Sequence, residues 1–493
     1  MAFLIGGANS LADTGYNIEN SLRFDGDSYQ SRDPSETGIT IKGNFSAWVK
    51  FATSNTEVAL FGGFDSSGAN DNDGYMVFKR TADGNLQFEG GDNVYLETTA
   101  LFRDTSAWYH IVLAIDSSNA TANNKQRIYV NGAEITAFDT RNNLTNLQDL
   151  PMNSTAGNDD RFLVGCDEDT GGRGLFFTGY MADVYWIDNN SQMAASDFGE
   201  YDDNGVWIPK DGSDISFGDK NSFKMEYGSS GNLGLDTSGL GNSLGDNAGL
   251  AATNQTTDTP TNNFATMKVH GSPVVSGAVL AEGNLKCTTG TSGSGRDLGR
   301  IFISNILVSS GKWYWEAKMA DEVFQIGLSA YQGSRLGSTT NNTRFLVLNP
   351  NGTLADKADS SESADTYMAA VDATDIVQFA LDMDSTPKVI YFGEGGSWGD
   401  GSGNTDESSP NSAVDISGGS HDILTDTTDN SGFIGVSFHS SGGSSTSTAE
   451  INFGNPNFSI SSGNADGNGY GNFEFAVPSG YYSLNTKNLA KYG

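Results

Sequence analysis

GKWYWEAKM, residues 311–319, places two tryptophans and a tyrosine within nine residues of a chain otherwise rich in glycine, serine, asparagine and aspartate. Extended as a β-strand, the segment sends Trp313, Trp315, Ala317 and Met319 to one face and Lys312, Tyr314, Glu316 and Lys318 to the other. That alternation predicts a strand with one buried face. SAWYHIVLAID at 106–116 has the same character, which predicts two β-rich bodies.

Length agrees, because 493 residues exceed the roughly 250–300 at which a single core stops growing. Glycine is abundant, at 62 residues against 10 prolines, and clusters with Asn, Asp and Ser between short apolar runs, the punctuation of turns. The fold class expected is all-β: two antiparallel β-sandwiches of the jelly-roll kind joined by a connector. From 21 to 188 strand patterns recur every ten to fifteen residues, among them FSAWVKF, a hairpin YMVFKRTADGNLQFEG turning near Asp83 and Gly84, and QRIYVNGAEI. In the last, Asn131-Gly132 is a type I′ turn signal, since both residues must take positive φ. Residues 189–267 read as a turn-rich connector, with a short helix at SQMAASDFGEY and a docking point at FKMEY. Strands return over 268–493, through RIFISNILV, VFQIGLSAY, DIVQFALDMD and KVIYFGEGG. Residues 1–20 are expected to be an N-terminal attachment segment, and deletion of residues 1–18 to spare both sandwiches.

Charge narrows the partners. A formal net charge of −34 repels nucleic acid and anionic membrane surfaces, so neither is expected as a partner. No apolar stretch approaches the ~20 residues of a membrane-spanning helix, and MAFLIGGANSLA lacks the basic start of a signal peptide; neither insertion nor export is expected. Cys166 and Cys287 are expected to be reduced structural residues.

The first body, in the order SLRFDGDSYQSR, FSAWVKF, AWYHIVLAID, IYVNG and FTGYMADVYWID, resembles a laminin-G-like, concanavalin-A-type domain. The second, in GKWYWEAKM, FQIGLS, DIVQFALDMDSTPKVIYFGEGGSW, FIGVSFH, INFGNPNF and PSGYYSLNTKNL, resembles a SPRY domain. Their tandem, with DFGEYDDNGVWIPK and DTPTNNFATM between them, is similar to a group of virion-associated proteins of marine bacteriophages. The resemblance implies two-sheet sandwiches in both bodies and a place on the particle surface. Trp313, Trp315, Trp48, Trp108 and Trp186 are then expected to fill cores, the first two between sheets about 10 Å apart.

Catalysis leaves few marks. The candidate carboxylate pair for glycoside hydrolysis is Asp382 and Asp384 in LDMD, which falls at a strand end running into a turn. GGSWG matches the nucleophile-elbow pattern around Ser397, but the GDGSGNTDESSPN that follows cannot supply the helix an elbow requires. His110, His270, His421 and His439 show no metal-ligand spacing. The chain is therefore read as a non-enzyme without a cofactor. Laminin-G-like domains sometimes hold calcium in loops; in ANDNDGY the ligands would be Asp71 and Asp73, the other reading of this loop and of DEDTGG being a solvated turn. For ligand binding the candidates are loop aromatics, Trp398 in a glycine-rich loop and Tyr331 after a strand end.

The function expected is that of a virion structural protein acting as an outward-facing adhesin, such as a tail fibre. Its partners would be other virion proteins, a host-surface glycan or receptor protein, and further copies of itself in a homo-oligomer. The alternatives are a head-decorating or fibre-forming architectural protein and a polysaccharide depolymerase.

Overall fold

The computed structural model describes residues 4–5, 15–65, 74–91, 93–155, 161–169, 171–189, 191–218, 220–270, 277–290, 301–330, 345–356, 363–424, 432–440 and 446–493. The chain forms two compact units, Ala12–Thr261 and Asn262–Gly493, the second together with Met1–Leu11. Both are antiparallel β-sandwiches.

In the first unit one sheet runs, in spatial order, Ala133–Glu134, Gln126–Val130, Tyr109–Asp116, Lys42–Phe51, Thr178–Ile187, Ser21–Asp25 and Gln255–Thr256, with Phe223–Met225 also on Thr178–Ile187. The facing sheet runs Phe138–Arg141, Asn93–Leu101, Asn85–Gly90, Tyr75–Arg80, Val58–Phe64, Arg161–Val164, Tyr29–Arg32 and Gly245–Asn247. Aromatic rings bridge the two: Phe61 stacks between Phe45 at 5.1 Å and Trp186 at 4.8 Å. Offset stacking of this kind adds to the area term that drives sheet packing. The Asn131-Gly132 turn has φ of 47° and 83°, as its type demands.

Residues 189–267, expected as a connector, are built into folded units instead. Phe223–Met225, Gly245–Asn247 and Gln255–Thr256 each add a strand to the first unit, and Met267 opens a strand of the second. The expected helix is one 3-10 turn, Ala195–Asp197. A buried ion pair fastens the stretch: Lys50 Nζ lies 2.8 Å from Asp258, which also accepts from Trp108 Nε1 at 3.2 Å. Strands of two or three residues are too short to show a period, which is why the sequence pattern reads them as connector. Within residues 1–20, expected as an attachment segment, the described residues belong to the folded units. Ile18 is buried against Trp48 and Ala182, Tyr16 bonds to Glu226, and Leu4–Ile5 pairs in parallel with Ile306–Leu307. Trp48 and Trp108 thus lie on the outer face of their sheet, beneath Tyr16, Ile18 and Trp207, rather than between sheets.

In the second unit a seven-stranded sheet (Met267–His270, Ile301–Ser304, Ile434–Ser440, Phe324–Ala330, Phe345–Leu348, Thr353–Asp356, Ser363–Thr366) faces a ten-stranded one. Lys312–Met319 sits inside the larger sheet, between Thr448–Asn452 and Ile376–Asp382. Trp313 and Trp315 are fully buried in the core, Trp315 stacked on Phe379 at 5.1 Å; each contributes about 2–3 kcal/mol by area. On the other face, expected to be solvated, Tyr314 and Glu316 are buried as well. The C-terminal residues cross it, Tyr482–Ser483 pairing in parallel with Trp313–Tyr314, and Phe473 meets Tyr314 edge-on at 5.0 Å.

Candidate functional site

That outer face carries the best-formed candidate site. Val389–Glu394 turns tightly into Ser397–Gly399, pairing Gly393 with Trp398, so Trp398 belongs to a strand and not to the loop expected from the sequence. Its indole packs with Tyr314, Ala380, Phe473 and Tyr481 and is 4% exposed. Beside it a groove of about 480 Å³ runs between residues 408–410 and 476–481. Trp398, Pro410, Val477, Pro478 and Tyr481 supply apolar walls; Ser408, Ser409 and Ser479 supply hydroxyls; none of the described residues that line it is charged. Such a mixture suits a ligand with apolar faces and hydroxyl or amide edges.

The wall formed by the C-terminal segment is fixed by Glu316, whose side chain is fully buried. Its carboxylate accepts from the backbone N–H groups of Glu474 at 2.9 Å and Phe475 at 2.8 Å, from Tyr314 Oη at 2.9 Å and from Asn452 Nδ2 at 3.3 Å. Burial raises its pKa, and these donors partly offset the rise. Further along, Asp466 accepts from Ser483 N and Oγ and from Asn488 Nδ2 at 2.7 Å, tying the segment's end to the only α-helix among the described residues, Thr486–Tyr492.

The remaining sequence candidates separate. Asp71, Asp73 and Tyr331 lie outside the described residues. Asp382 and Asp384 shape a turn: Asp382 pairs with Lys312 at 2.7 Å and accepts from Asp384 N, Ser385 N and Ser385 Oγ, while Asp384 accepts from Gly311 N. Burial alone would push the Asp382 carboxyl up, but the bonds from Lys312, Ser385 and Asp384 outweigh it and hold the group below its usual range. Ser397 is a hairpin residue with no helix after it. In DEDTGG, Asp167–Asp169 pairs with Gly172–Gly174, and Glu168 pairs with Arg161 at 2.5 Å and Arg173 at 3.1 Å. Burial raises Asp167 to about 6. Both cysteines are free and buried, and burial pushes both thiols up. Among the described residues no three His, Cys, Asp or Glu side chains converge as a metal cluster.

Residues 26–190 match the family model described as the concanavalin A-like lectin/glucanases superfamily. No curated protein matches the chain. Among solved structures, a native heptameric SAP-like pentraxin from Limulus polyphemus is 14% identical, with 43% of this chain and 94% of that one covered and a TM-score of 0.29. Mouse laminin alpha1 domains LG4-5 are 10% identical over 88% of this chain and 90% of that one, with a TM-score of 0.27. The SPRY domain of human HERC1 is 15% identical over 38% and 93%, with a TM-score of 0.24. Likeness at that level decides nothing about a ligand. Sequence reasoning singled out Trp398 but missed Tyr481, Pro478 and Pro410, since nothing local to them signals that the C-terminal segment folds back beside the 397–407 hairpin.

Proposed function

We propose that this protein is a non-enzymatic recognition protein, displayed on the surface of a virion, that binds a cell-surface glycan or protein through the groove beside Trp398. The observation that carries this reading is the groove itself: about 480 Å³, uncharged, walled by Trp398, Tyr481 and two prolines and edged by serine hydroxyls. Loops and strap segments set on a rigid sandwich are the usual bearers of binding function. The match of residues 26–190 to a lectin-containing superfamily supports a binding role in general terms.

The test fills the groove without touching a core. Ser409 and Ala476 are exposed on opposite walls, so Ser409→Arg and Ala476→Trp leave the fold intact. Labelled protein applied to candidate host cells and to a glycan array should bind in the native form and lose at least tenfold in either variant. Undiminished binding by both variants overturns the assignment of the groove. The virion reading is tested separately, by antibody labelling of purified particles in the electron microscope; unlabelled particles overturn it.

A further inference from the structure

A second cavity, of about 340 Å³, opens in the second unit where Thr353–Asp356 and Ser363–Thr366 end the seven-stranded sheet and Val414–Asp415 borders the larger one. Leu354, Tyr367 and Val414 form apolar walls, and His421 stands among its polar lining residues on the 3-10 turn Gly419–His421. The imidazole is held between two carboxylates in an unequal way. Nδ1 lies 2.5 Å from Asp356 Oδ2, a side chain 4% exposed. Nε2 lies 3.3 Å from Asp365 Oδ2, a side chain 60% exposed.

That inequality has chemical content. The short contact identifies Asp356 as acceptor of the Nδ1 proton, which in the neutral ring leaves Nε2 as a lone pair. A charge-assisted hydrogen bond from Nε2 to Asp365 would be about 2.7–2.9 Å long, so 3.3 Å is wide for one. It is the spacing of two donors aimed at a third atom. With zinc bond lengths of about 2.0–2.1 Å to nitrogen and 2.0–2.2 Å to oxygen, a tetrahedral angle separates the two ligand atoms by about 3.4 Å and a right angle by about 2.9 Å. A carboxylate on the far ring nitrogen is also the arrangement that orients metal-binding histidines.

We infer that His421 and Asp365 form a two-ligand seat for a divalent transition cation of the zinc class, with Asp356 orienting the imidazole and water completing the coordination. An imidazole nitrogen selects such an ion over calcium or magnesium, which take oxygen ligands. The bound ion would tie the edge strands Thr353–Asp356 and Ser363–Thr366 to the 419–421 turn across the cavity.

The experiment titrates the full chain with Zn²⁺ by calorimetry, in millimolar Ca²⁺ and Mg²⁺ so that scattered carboxylates are already occupied, and repeats it with Co²⁺ as a spectroscopic probe. One saturable equivalent is expected, with the intense visible absorption of four-coordinate cobalt. Asp365→Asn and His421→Ala should each weaken binding at least tenfold, and Asp356→Asn about 10- to 100-fold. Should His421→Ala fail to fold, Asp365→Asn decides alone, because its side chain is 60% exposed and its loss leaves the fold intact. Absence of a saturable equivalent, or wild-type affinity in a folded His421→Ala or Asp365→Asn protein, overturns the site.

Discussion

The first sandwich should weaken on acidification through one residue, His110. The ring is fully buried, tilted against Trp48 at 5.0 Å and stacked on Trp207 at 5.8 Å. Trp207 Nε1–H donates to Nδ1 at 3.1 Å, so Nδ1 carries the lone pair and Nε2–H donates to Ser46 Oγ at 2.9 Å. A second ring proton would have to point at the indole N–H. Burial accordingly lowers the His110 pKa from 6.5 to about 3. A histidine whose folded value is depressed contributes its stability in full above the unfolded value and loses it as pH falls from there toward the folded one. Between pH 6.5 and 3 each pH unit costs roughly the energy of one pKa unit, so at pH 4.5 the loss is about 2–3 kcal/mol. His110→Gln keeps an acceptor for Trp207 and a donor for Ser46 but cannot titrate. Denaturant unfolding of both proteins, followed by tryptophan fluorescence at pH 7 and 4.5, should show native stability falling about 2–3 kcal/mol further than that of the variant. Curves that shift in parallel refute the reasoning, since carboxylate effects are common to both proteins and cancel in the difference.

Asp258→Ala strands the buried Lys50 ammonium and should cost the first sandwich about 3–5 kcal/mol, whereas Lys50→Met with Asp258→Leu should recover most of that; unfolding midpoints decide. Gly132→Ala puts a methyl 2.4 Å from the Trp207 ring at a φ of 83° and should cost about 2 kcal/mol or more. Gly205→Ala, at a φ of 78° in open space, should cost only about 1 kcal/mol by the same measurement. Glu316→Ala removes the acceptor of two part-buried backbone N–H groups and the nearer acceptor of the buried Tyr314 hydroxyl. The second sandwich should lose about 3–5 kcal/mol, and hydrogen exchange at Glu474 and Phe475 should accelerate before that of the core strands.

Much of the sandwich architecture was legible wherever a period repeats. Trp313, Trp315 and Met319 alternate over a full strand, and Asn131-Gly132 names its own turn, so strand, face and hairpin follow from local chemistry. What lay beyond reach depends on pairings distant in the chain. Phe223–Met225 is a strand only because Thr178–Ile187 offers it an edge, and three residues carry no period of their own. Tyr314 and Glu316 read as solvent-facing because the segment that covers them lies at the far end of the chain. The same fold-back turned Trp398 from a presumed loop platform into a groove wall. The glycine-rich stretch around it signals a turn, but the strand pairing with Gly393 is set by Val389–Glu394.

The exposure of that wall bears on how the groove can be used. Trp398 is 4% and Tyr481 7% exposed, so a ligand meets ring edges rather than open faces and gains little of the area an aromatic platform offers. Rigidity works in the other direction: with one wall pinned through Glu316 and the other set by a paired hairpin, little ordering cost falls on the protein when a ligand enters. A rigid groove with limited contact area gives modest affinity at a single site. An adhesin built on it would draw its strength from several copies on one surface, where simultaneous engagement raises avidity by about 10² to 10⁴. Display in many copies is what a place on a particle surface would supply, so the proposed location and the shallow site support the same reading.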